Sequence, residues 1–330
     1  MVKALIIYPK DYPKVYGPAE VAAIRQRVEL VADPLTREQL AQRPELLAEV
    51  EVIFSGWYSP VLDAEFLRAA PRLRAFFYAA GSVKGVVTDA VWERQIRVSS
   101  AWGVNGAAVA DYTVGAILFS LKQGFASAAA VRRNRRFERS PLPAGVCGST
   151  VAVIGLGAAG GAVCTKLRPF GMKICAHDPY VTAAAARDLG VQALVSLEEA
   201  FATAQVVSLH LPANETTRGL VRGDHFRSMP PGATLINTAR GQVIREDEMI
   251  AALRARPDLT AILDVTEPEP PDAASPLYDL PNVVLTPHIA GALDRDTSLL
   301  AQCMIEEFDR WLSGAPLHWE IGRGDGAHGA

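Results

Sequence analysis

The stretch Thr150 to Gly161, TVAVIGLGAAGG, constrains the fold of this chain more than any other. Its apolar first half predicts a strand covered on both faces. Gly155, Gly157 and Gly160 then have the spacing G-x-G-x-x-G. The first glycine allows a tight turn, the second lets the backbone approach a pyrophosphate, and the third lets a helix pack on the strand. The stretch therefore predicts a dinucleotide bound at a helix N-terminus.

An acidic residue follows this motif at the sequence separation expected of a ribose-binding carboxylate. After a predicted helix, Ala158 to Arg168, and a second apolar run, Asp178 lies 21 residues beyond Gly157. A carboxylate about 20 residues on accepts hydrogen bonds from the adenosine ribose and repels a 2′-phosphate. The sequence thus predicts NAD in preference to NADP. The alternative is an ordinary strand-helix-strand crossover with a surface aspartate.

Composition limits what surrounds this unit. A length of 330 residues predicts about two domains, and 49% hydrophobic with 21% charged residues is typical of a globular protein. The formal net charge of −3 gives no basic footprint for nucleic acid, and the arginines at 132, 133, 135 and 136 are interpreted as a solvated helix end. The four cysteines have no C-x-x-C spacing, so we expect reduced, mostly buried thiols and no metal site.

The chain carries no recognisable targeting segment. The apolar run near Met1 is too short for a signal sequence, and no uncharged apolar segment approaches the roughly 18 residues of a membrane span. We therefore expect a cytoplasmic protein without membrane contacts.

Apolar runs alternate with helical patterns along the whole chain. The first hundred residues contain four such runs without a glycine motif, and five more strands are predicted beyond Asp178. A long helix is predicted over Gly106 to Arg133, a last amphipathic helix over Ala292 to Leu312, and a disordered tail from Gly322. The prediction is an α/β chain with two doubly wound parallel sheets.

Three polar residues each follow a predicted strand of the second sheet. They are Arg240 in INTARG, Glu269 in LDVTEPEP and His288 in LTPHIAG. Ligands of such sheets gather at the carboxyl ends of the strands. Taken singly, the three are better explained as a salt-bridging arginine, a loop acid and a structural histidine.

Taken together and in order, these motifs resemble those of the D-isomer-specific 2-hydroxyacid dehydrogenase family, including glyoxylate/hydroxypyruvate reductases and glycerate dehydrogenases. The resemblance covers nearly the whole chain. The motifs that carry it are VAVIGLGAAGG, FGMKICAHDP, VVSLHLPANETTRGLV, INTARGQVI, LDVTEPEP and NVVLTPHIAG.

The resemblance implies a domain organisation. An NAD-binding Rossmann domain, 105–292, would be inserted into a flavodoxin-like substrate domain formed by 1–104 and 293–330. It further implies a homodimer that pairs through the cofactor domain. The expected partner is a small 2-oxo or 2-hydroxy acid, with no nucleic acid and no membrane.

The resemblance also implies a catalytic set. Arg240 would clamp the substrate carboxylate and carbonyl by forked hydrogen bonds. His288 would act as the general acid in reduction and the base in oxidation. Glu269, bonded to the other ring nitrogen, would favour the imidazolium and orient the ring.

The remaining implied contacts fall into two groups. Backbone amides of the turn at Gly81 would bind the substrate carboxylate, so the predicted substrate residues are Trp57, Ala80, Gly81, Ser82, Val83, Arg240 and His288. The predicted NAD-binding residues are Gly155, Leu156, Gly157, Ala158, Ala159, Gly160, Asp178, Pro179, His210, Leu211, Pro212, Thr217, Thr238, Ala239, Arg240, Asp264, His288 and Ala290.

Departures from the family pattern concern substrate choice. Thr266 stands where phenylalanine is usual, Lys84 lies near a common aspartate position, and VADY at Val109 to Tyr112 replaces VAEH or VAEY. Trp57 and Tyr58 either pack structurally or cap the pocket, and a cap would favour small substrates. Two other functions stay open: an NAD(H)-sensing corepressor-type binding protein, and a dehydrogenase of another small acid such as formate or phosphite.

Overall fold

The computed structural model describes residues 1–8, 15–142 and 145–324. The chain divides into two compact units, one formed by Met1–Asn105 with Ala292–Ala330 and the other by Gly106–Gly291. The first unit is thus built from two sequence segments, and the second unit lies between them in the sequence. That the first unit binds the substrate and the second binds NAD stays a prediction.

The first unit contains a six-stranded sheet in the order β13-β5-β4-β3-β1-β2. Five strands are parallel, and their order 2-1-3-4-5 is that of flavodoxin-like folds. Only β13 runs antiparallel, against β5. The elements are β1 (Lys3–Ile6), α1 (Pro18–Arg25), β2 (Glu29–Leu30), α2 (Arg37–Ala41), β3 (Val52–Ser55), α3 (Ala64–Ala69), β4 (Ala75–Tyr78), α4 (Asp89–Glu93), β5 (Arg97–Ser100), α12 (Thr297–Leu312) and β13 (Glu320–Ile321).

Aromatic packing and one buried carboxylate join the C-terminal segment to this sheet. Phe308 of α12 meets Phe54 of β3 edge-on, with ring centroids 5.4 Å apart. The buried Glu307 accepts hydrogen bonds from the Ser99 hydroxyl at 2.7 Å and the Trp319 amide at 2.9 Å. Because β13 has only two residues, its place depends on these long-range contacts, and no local pattern predicts it.

The second unit contains a seven-stranded, all-parallel sheet in the order β12-β11-β10-β9-β6-β7-β8. This is the Rossmann order 3-2-1-4-5-6 extended by one strand, so the predicted fold class is confirmed. The elements are β6 (Thr150–Ile154), α7 (Ala158–Leu167), β7 (Lys173–His177), α8 (Ala183–Asp188), β8 (Ala193–Leu194), α9 (Leu197–Thr203), β9 (Val206–Leu209), α10 (Gly223–Ser228), β10 (Thr234–Asn237), α11 (Glu246–Ala255), β11 (Thr260–Leu263) and β12 (Val283–Leu285).

The predicted single helix from Gly106 to Arg133 is wrong. The structure has two helices, α5 (Trp102–Leu121) and α6 (Gly124–Asn134), separated by Gln123 in a left-handed conformation with φ of 53°. The side-chain amide of Gln123 donates to the carbonyl of Gly232 at 2.9 Å. Glutamine rarely adopts this left-handed conformation, and a residue 109 positions away holds the Gln123 side chain. The helix propensities of the local sequence therefore do not predict the break.

Among the described residues, α5 is long and apolar enough to cross a membrane, judged by its 20 residues and mean hydropathy of 1.3. This helix is not an uncharged segment, because Asp111 lies in the middle of it. That carboxylate pairs with Lys166 of α7 at 2.5 Å, and Ala110 and Ile117 belong to a core cluster of the second unit. A core helix passes the same length and composition test, so α5 alone is weak support for a span.

Three smaller expectations have clear outcomes. The last helix begins at Thr297, five residues later than expected, after a 3-10 turn over Asp294–Asp296. All four cysteines are free, and Cys164, Cys175 and Cys303 are buried whereas Cys147 is exposed. Burial raises the pKa of the Cys164 and Cys303 thiols to about 12, so both stay protonated. The tail expected to be disordered extends into residues 325–330, which lie outside the described residues.

Candidate active site

The glycine motif forms a tight turn between β6 and α7. Gly155 has a φ of 91°, and an added Cβ there would lie 2.7 Å from the carbonyl oxygen of His210. A Cβ at Gly160 would lie 1.9 Å from the carbonyl oxygen of Gly155. At Gly157, by contrast, a Cβ would meet nothing within 4 Å. The first and third glycines are therefore required by packing, whereas the second faces open space.

That open space lies at the N-terminus of α7. Gly157 is the N-cap residue, and no side chain caps the first amides of this ten-residue helix. Uncapped amides and the helix dipole both favour an anion at this end. The turn thus fits the pyrophosphate of a dinucleotide.

Asp178 follows β7 and holds the glycine turn. Its Oδ2 accepts a hydrogen bond from the Leu156 amide at 2.7 Å, and its Oδ1 accepts from the Tyr180 amide at 2.9 Å. The carboxylate is half-buried. Since each oxygen can accept a further bond, the group fits the ribose hydroxyls next to the pyrophosphate site.

His210 lies against the same turn, after β9. Its Nε2 is 2.9 Å from the Ser208 hydroxyl, and its buried Nδ1 has no hydrogen-bond partner among the described residues. Burial lowers the pKa of His210 to about 4, so the imidazole is neutral near pH 7. An unsatisfied buried nitrogen beside the open turn is a group that a bound ligand could satisfy.

Arg240 lies in the loop after β10, and Asn237 shapes this loop. The fully buried Asn237 accepts the Ala239 amide on Oδ1 at 3.0 Å and donates from Nδ2 to the Arg240 carbonyl at 3.0 Å. The Arg240 guanidinium donates to the Ala239 carbonyl at 2.6 Å, and the residue is otherwise exposed. The Arg240 guanidinium, which can donate two parallel hydrogen bonds to a carboxylate, thus lies at the carboxyl end of the sheet.

Gly241 brings the Arg240 loop against the loop after β11. An added Cβ at Gly241 would lie 2.0 Å from the carbonyl carbon of Thr266 and 2.6 Å from the Glu267 amide nitrogen. Only glycine allows this contact between backbones. The arginine loop and the loop that carries Glu269 are therefore packed directly on each other.

Glu269 and His288 form a close pair. The Glu269 Oε1 lies 2.6 Å from Nδ1 of His288, and both side chains are exposed to solvent, at 41% and 50% respectively. A carboxylate can only accept, so Nδ1 carries the proton and donates. Nε2 is then the ring nitrogen that can exchange a proton with a substrate.

Asp264, at the end of β11, anchors the segment that contains His288. Its carboxylate, in a residue only 2% exposed, accepts the Thr286 hydroxyl at 2.6 Å and the amides of Ile289 and Ala290 at 2.9 Å each. Its carbonyl accepts the His288 amide at 3.0 Å. His288 itself has a φ of 52°, a conformation that needs such support.

The other predicted cofactor residues differ in burial and in their hydrogen-bond partners. Thr238 and Ala239 are buried in the Arg240 loop. The Thr217 hydroxyl lies 2.5 Å from the Pro212 carbonyl and is therefore engaged within its own loop. Leu211 packs against the core, and Pro179 is exposed. Their contacts with a cofactor stay predictions.

The predicted carboxylate-binding turn belongs to the first unit. The amides of Gly81, Ser82 and Val83 donate to no described residue. The Ser100 hydroxyl hydrogen-bonds to the turn through the carbonyls of Ala80 and Gly81. Three consecutive unused amides fit an anion such as a carboxylate.

Trp57 and Tyr58 differ in burial. Trp57 packs against the core cluster of the first unit, whereas Tyr58 is 59% exposed and has a φ of 61°. The packing of Trp57 agrees with the structural interpretation. Its predicted contact with substrate stays a prediction.

Several contributing residues were absent from the sequence-based set. Asn237 lies inside the INTARG motif, so its place two residues before Ala239 was an available signal. Tyr112 reaches Thr286 across 174 residues at 2.8 Å, and no local pattern indicates that contact.

Comparison with known proteins shows the family to which this chain belongs. A sequence model of the D-isomer specific 2-hydroxyacid dehydrogenase NAD binding domain matches residues 114–290. The D-3-phosphoglycerate dehydrogenase of Mycobacterium tuberculosis is 33% identical over 278 residues, covering 84% of this chain and 51% of the relative. The chain thus spans about half the length of that relative.

Two further proteins are similar over most of their own length. The (S)-sulfolactate dehydrogenase of Chromohalobacter salexigens is 32% identical over 251 residues, covering 76% of this chain and 81% of the relative. The crystal structure of apo D-mandelate dehydrogenase from Rhodotorula graminis superposes with a TM-score of 0.79 at 26% identity, covering 98% of both chains. This chain belongs to the D-isomer specific 2-hydroxyacid dehydrogenase family, and residues 114–290 are its NAD binding domain.

Proposed function

We propose that this chain is an NAD(H)-dependent oxidoreductase that interconverts a small 2-oxo acid and its D-2-hydroxy acid. The observation that carries the proposal is the 2.6 Å hydrogen bond between Glu269 and His288. Glu269 lies on a loop packed against the loop of Arg240, at the carboxyl edge of an NAD-binding sheet. A proton donor and a forked cation are the groups that reduction of a 2-oxo acid requires.

The residues present fit a dinucleotide. The open turn at Gly157 would take the pyrophosphate, Asp178 the adenosine ribose, and the unpaired Nδ1 of His210 a polar group beside the turn. When bound, NADH supplies the hydride to the carbonyl carbon. We propose NAD rather than NADP because the Asp178 carboxylate would face a 2′-phosphate with like charge.

The chain's own residues would handle the substrate and the proton. Arg240 would hold the carboxylate and polarise the carbonyl. In the first unit, the unused amides of the turn at Gly81 would also suit a carboxylate. His288 would give its Nε2 proton to the carbonyl oxygen in reduction and take it back in oxidation. Glu269 would keep the ring oriented and stabilise the imidazolium.

We propose a small anionic substrate of the glyoxylate or hydroxypyruvate type. Lys84 is an exposed cation directly after the turn formed by Gly81, Ser82 and Val83, and a cation there would raise the local concentration of anions. Because Trp57 packs into the core, any restriction on substrate size would come mainly from Tyr58.

We further propose a cytoplasmic homodimer. Phe119 of α5 is 48% exposed, and α6 has no buried residue in the single chain. Pairing through these two helices would cover the exposed apolar area. Free cysteines, three of them buried, agree with a reducing compartment.

One assay tests the proposed activity. NADH absorbance is followed with a panel of glyoxylate, hydroxypyruvate, pyruvate, phenylpyruvate and branched 2-oxo acids, alongside NAD with formate and with phosphite. We expect NADH oxidation with at least one small 2-oxo acid. NADH binding without turnover on any of them would favour the corepressor-type sensor, and NAD reduction by formate or phosphite alone would favour the other dehydrogenase.

A further inference from the structure

The side chains of Tyr112, Thr286 and Asp264 form a hydrogen-bonded series that ends next to the segment containing His288. The Tyr112 hydroxyl on α5 lies 2.8 Å from Oγ1 of Thr286, and this oxygen lies 2.6 Å from Oδ1 of Asp264. A carboxylate cannot donate, so the single proton of Thr286 points to Asp264. The Tyr112 hydroxyl must then donate to Thr286. The direction of both bonds is fixed by the acceptor at the end of the series.

The environment keeps Tyr112 in its donating form. Burial raises the pKa of the Tyr112 hydroxyl, and the nearby Asp264 charge raises it further, although the bond to Thr286 opposes this. The phenol therefore stays protonated across the neutral range. Hydrogen bonds arranged head to tail in this way strengthen one another.

The series ends on the group that fixes the backbone of His288. Asp264 accepts the amides of Ile289 and Ala290 on one side of the histidine and the Thr286 hydroxyl on the other. Three donors thus bracket a residue whose φ is 52°. If the Thr286 hydroxyl were lost, the Asp264 carboxylate would hold the segment only after His288, and before it only the backbone bond from the Thr286 amide to the Leu263 carbonyl would remain.

We propose that Tyr112 and Thr286 are positioning residues that set the direction of the His288 ring toward Glu269 and the substrate. The kinetic consequence rests on the proposed function, because it requires His288 to transfer a proton. Neither residue touches substrate or cofactor in this account. Their effect passes through Asp264 and the backbone on both sides of the histidine.

Near-isosteric variants test the kinetic consequence. Thr286→Val removes the hydroxyl and keeps the shape, and Thr286→Ser keeps the hydroxyl. Since an error of about 1 Å in a reacting group can cost roughly 100-fold, we expect Thr286→Val to lower kcat about 10- to 100-fold. The KM for NADH should change little, and Thr286→Ser should restore most of kcat. Thr203→Val is the matched control, because the Thr203 hydroxyl donates to the Glu199 carbonyl of its own helix and to no other residue that the structure describes.

A double-mutant cycle tests the connection between the two residues. Tyr112→Phe should lower kcat severalfold in the wild-type background and have almost no effect in the Thr286→Val background, because the series is then already broken. Fully independent effects, or Thr286→Val and Thr286→Ser with equal kcat, would overturn the proposal. If Thr286→Val does not fold, Tyr112→Phe with kcat equal to wild type would overturn it.

A measurement on the free protein separates this inference from the proposed activity. The Nδ1 proton shared with Glu269 should give a downfield proton resonance, assigned by its loss in His288→Ala. We expect that resonance to shift or broaden in Thr286→Val and to persist in Thr286→Ser. An unchanged resonance in Thr286→Val would contradict the positioning role even if the chain proved to have no dehydrogenase activity.

Discussion

Asp178 illustrates how one residue can serve two purposes in this fold. It accepts the Leu156 amide and so shapes the glycine turn, and it keeps acceptor capacity that a ribose hydroxyl would use. The same carboxylate would therefore support the turn and select the cofactor. An ordinary surface aspartate would have no bond to the turn.

This double role predicts the behaviour of Asp178→Ala. We expect the ratio of kcat/KM for NADH to that for NADPH to fall by about tenfold or more, the factor that corresponds to 1.4 kcal/mol. The cause is the loss of the ribose acceptor together with the charge that repels a 2′-phosphate. Asp188→Ala, an exposed carboxylate in the same unit, is the matched control. A wild-type preference for NADPH would contradict the assignment.

His210 predicts a specific dependence of stability on pH. Its pKa is about 4 in the folded chain, compared with the ordinary value of 6.5. As the pH falls below 6.5, the unfolded chain binds a proton that the folded chain does not, so folding loses stability down to about pH 4. Because the residue as a whole is only half-buried, we expect a loss of about 1–3 kcal/mol from this group.

The comparison with His210→Gln isolates this contribution. Chemical denaturation at pH 8 and at pH 4.5 gives the free energy of unfolding of both proteins. We expect the difference between the two pH values to be smaller in the variant, which has no imidazole to protonate. Equal pH dependence in both proteins would show that His210 is not buried as a neutral group.

At the scale of elements, the loops that follow β10, β11 and β12 pack on one another through backbone contacts. Gly241 is the clearest case, since its missing side chain admits the carbonyl of Thr266. Asn237 and Asp264 hold the loops on either side with buried hydrogen bonds. Arg240, Glu269 and His288 therefore owe their arrangement to residues that do no chemistry.

Gly241→Ala tests this fitting. The added methyl would overlap Thr266 backbone atoms, so one of the two loops must move. We expect destabilisation of about 1–3 kcal/mol, typical of overpacking, together with a lower kcat. Thermal denaturation and steady-state kinetics measure the two effects. Wild-type values in both would show that the loops are not packed as described.

The sequence predicted the regular elements of the second unit better than their connections. Buried parallel strands form continuous apolar runs, so the strands around Val151, Ile236 and Ile262 were visible, as was the glycine turn. The two-residue strands β2 and β13 lack enough residues to show a pattern. Their positions depend on tertiary contacts that only the folded chain supplies.

The same reasoning explains what the sequence showed of the site. Arg240, Glu269 and His288 were expected because the motifs that contain them resemble those of the family in the same order. The structure brings the Glu269 and His288 side chains into contact and packs the Glu269 loop on the Arg240 loop. The left-handed backbone at His288 was not predictable, since its support comes from Asp264, 24 residues earlier. Residue types were thus visible in the sequence, whereas the contacts that orient them were not.

At the scale of the whole molecule, the exposed apolar surface of α5 and α6 predicts pairing of two copies. Light scattering at micromolar concentration should give twice the chain mass of 35.4 kDa. Phe119→Arg should yield monomers, because a charge would replace a ring that is 48% exposed in the single chain. A wild-type monomer at that concentration would contradict the proposed homodimer.

We propose that this chain transfers a hydride from NADH to a 2-oxo acid while His288 supplies the proton. The most direct measurement is kcat for NADH oxidation by wild type and by His288→Ala at saturating substrate, with NADH binding followed separately by fluorescence. Positioned acid-base groups contribute about 10²–10⁴-fold, so we predict a loss of that size in His288→Ala with NADH binding largely retained. Near-normal turnover in His288→Ala would contradict the account.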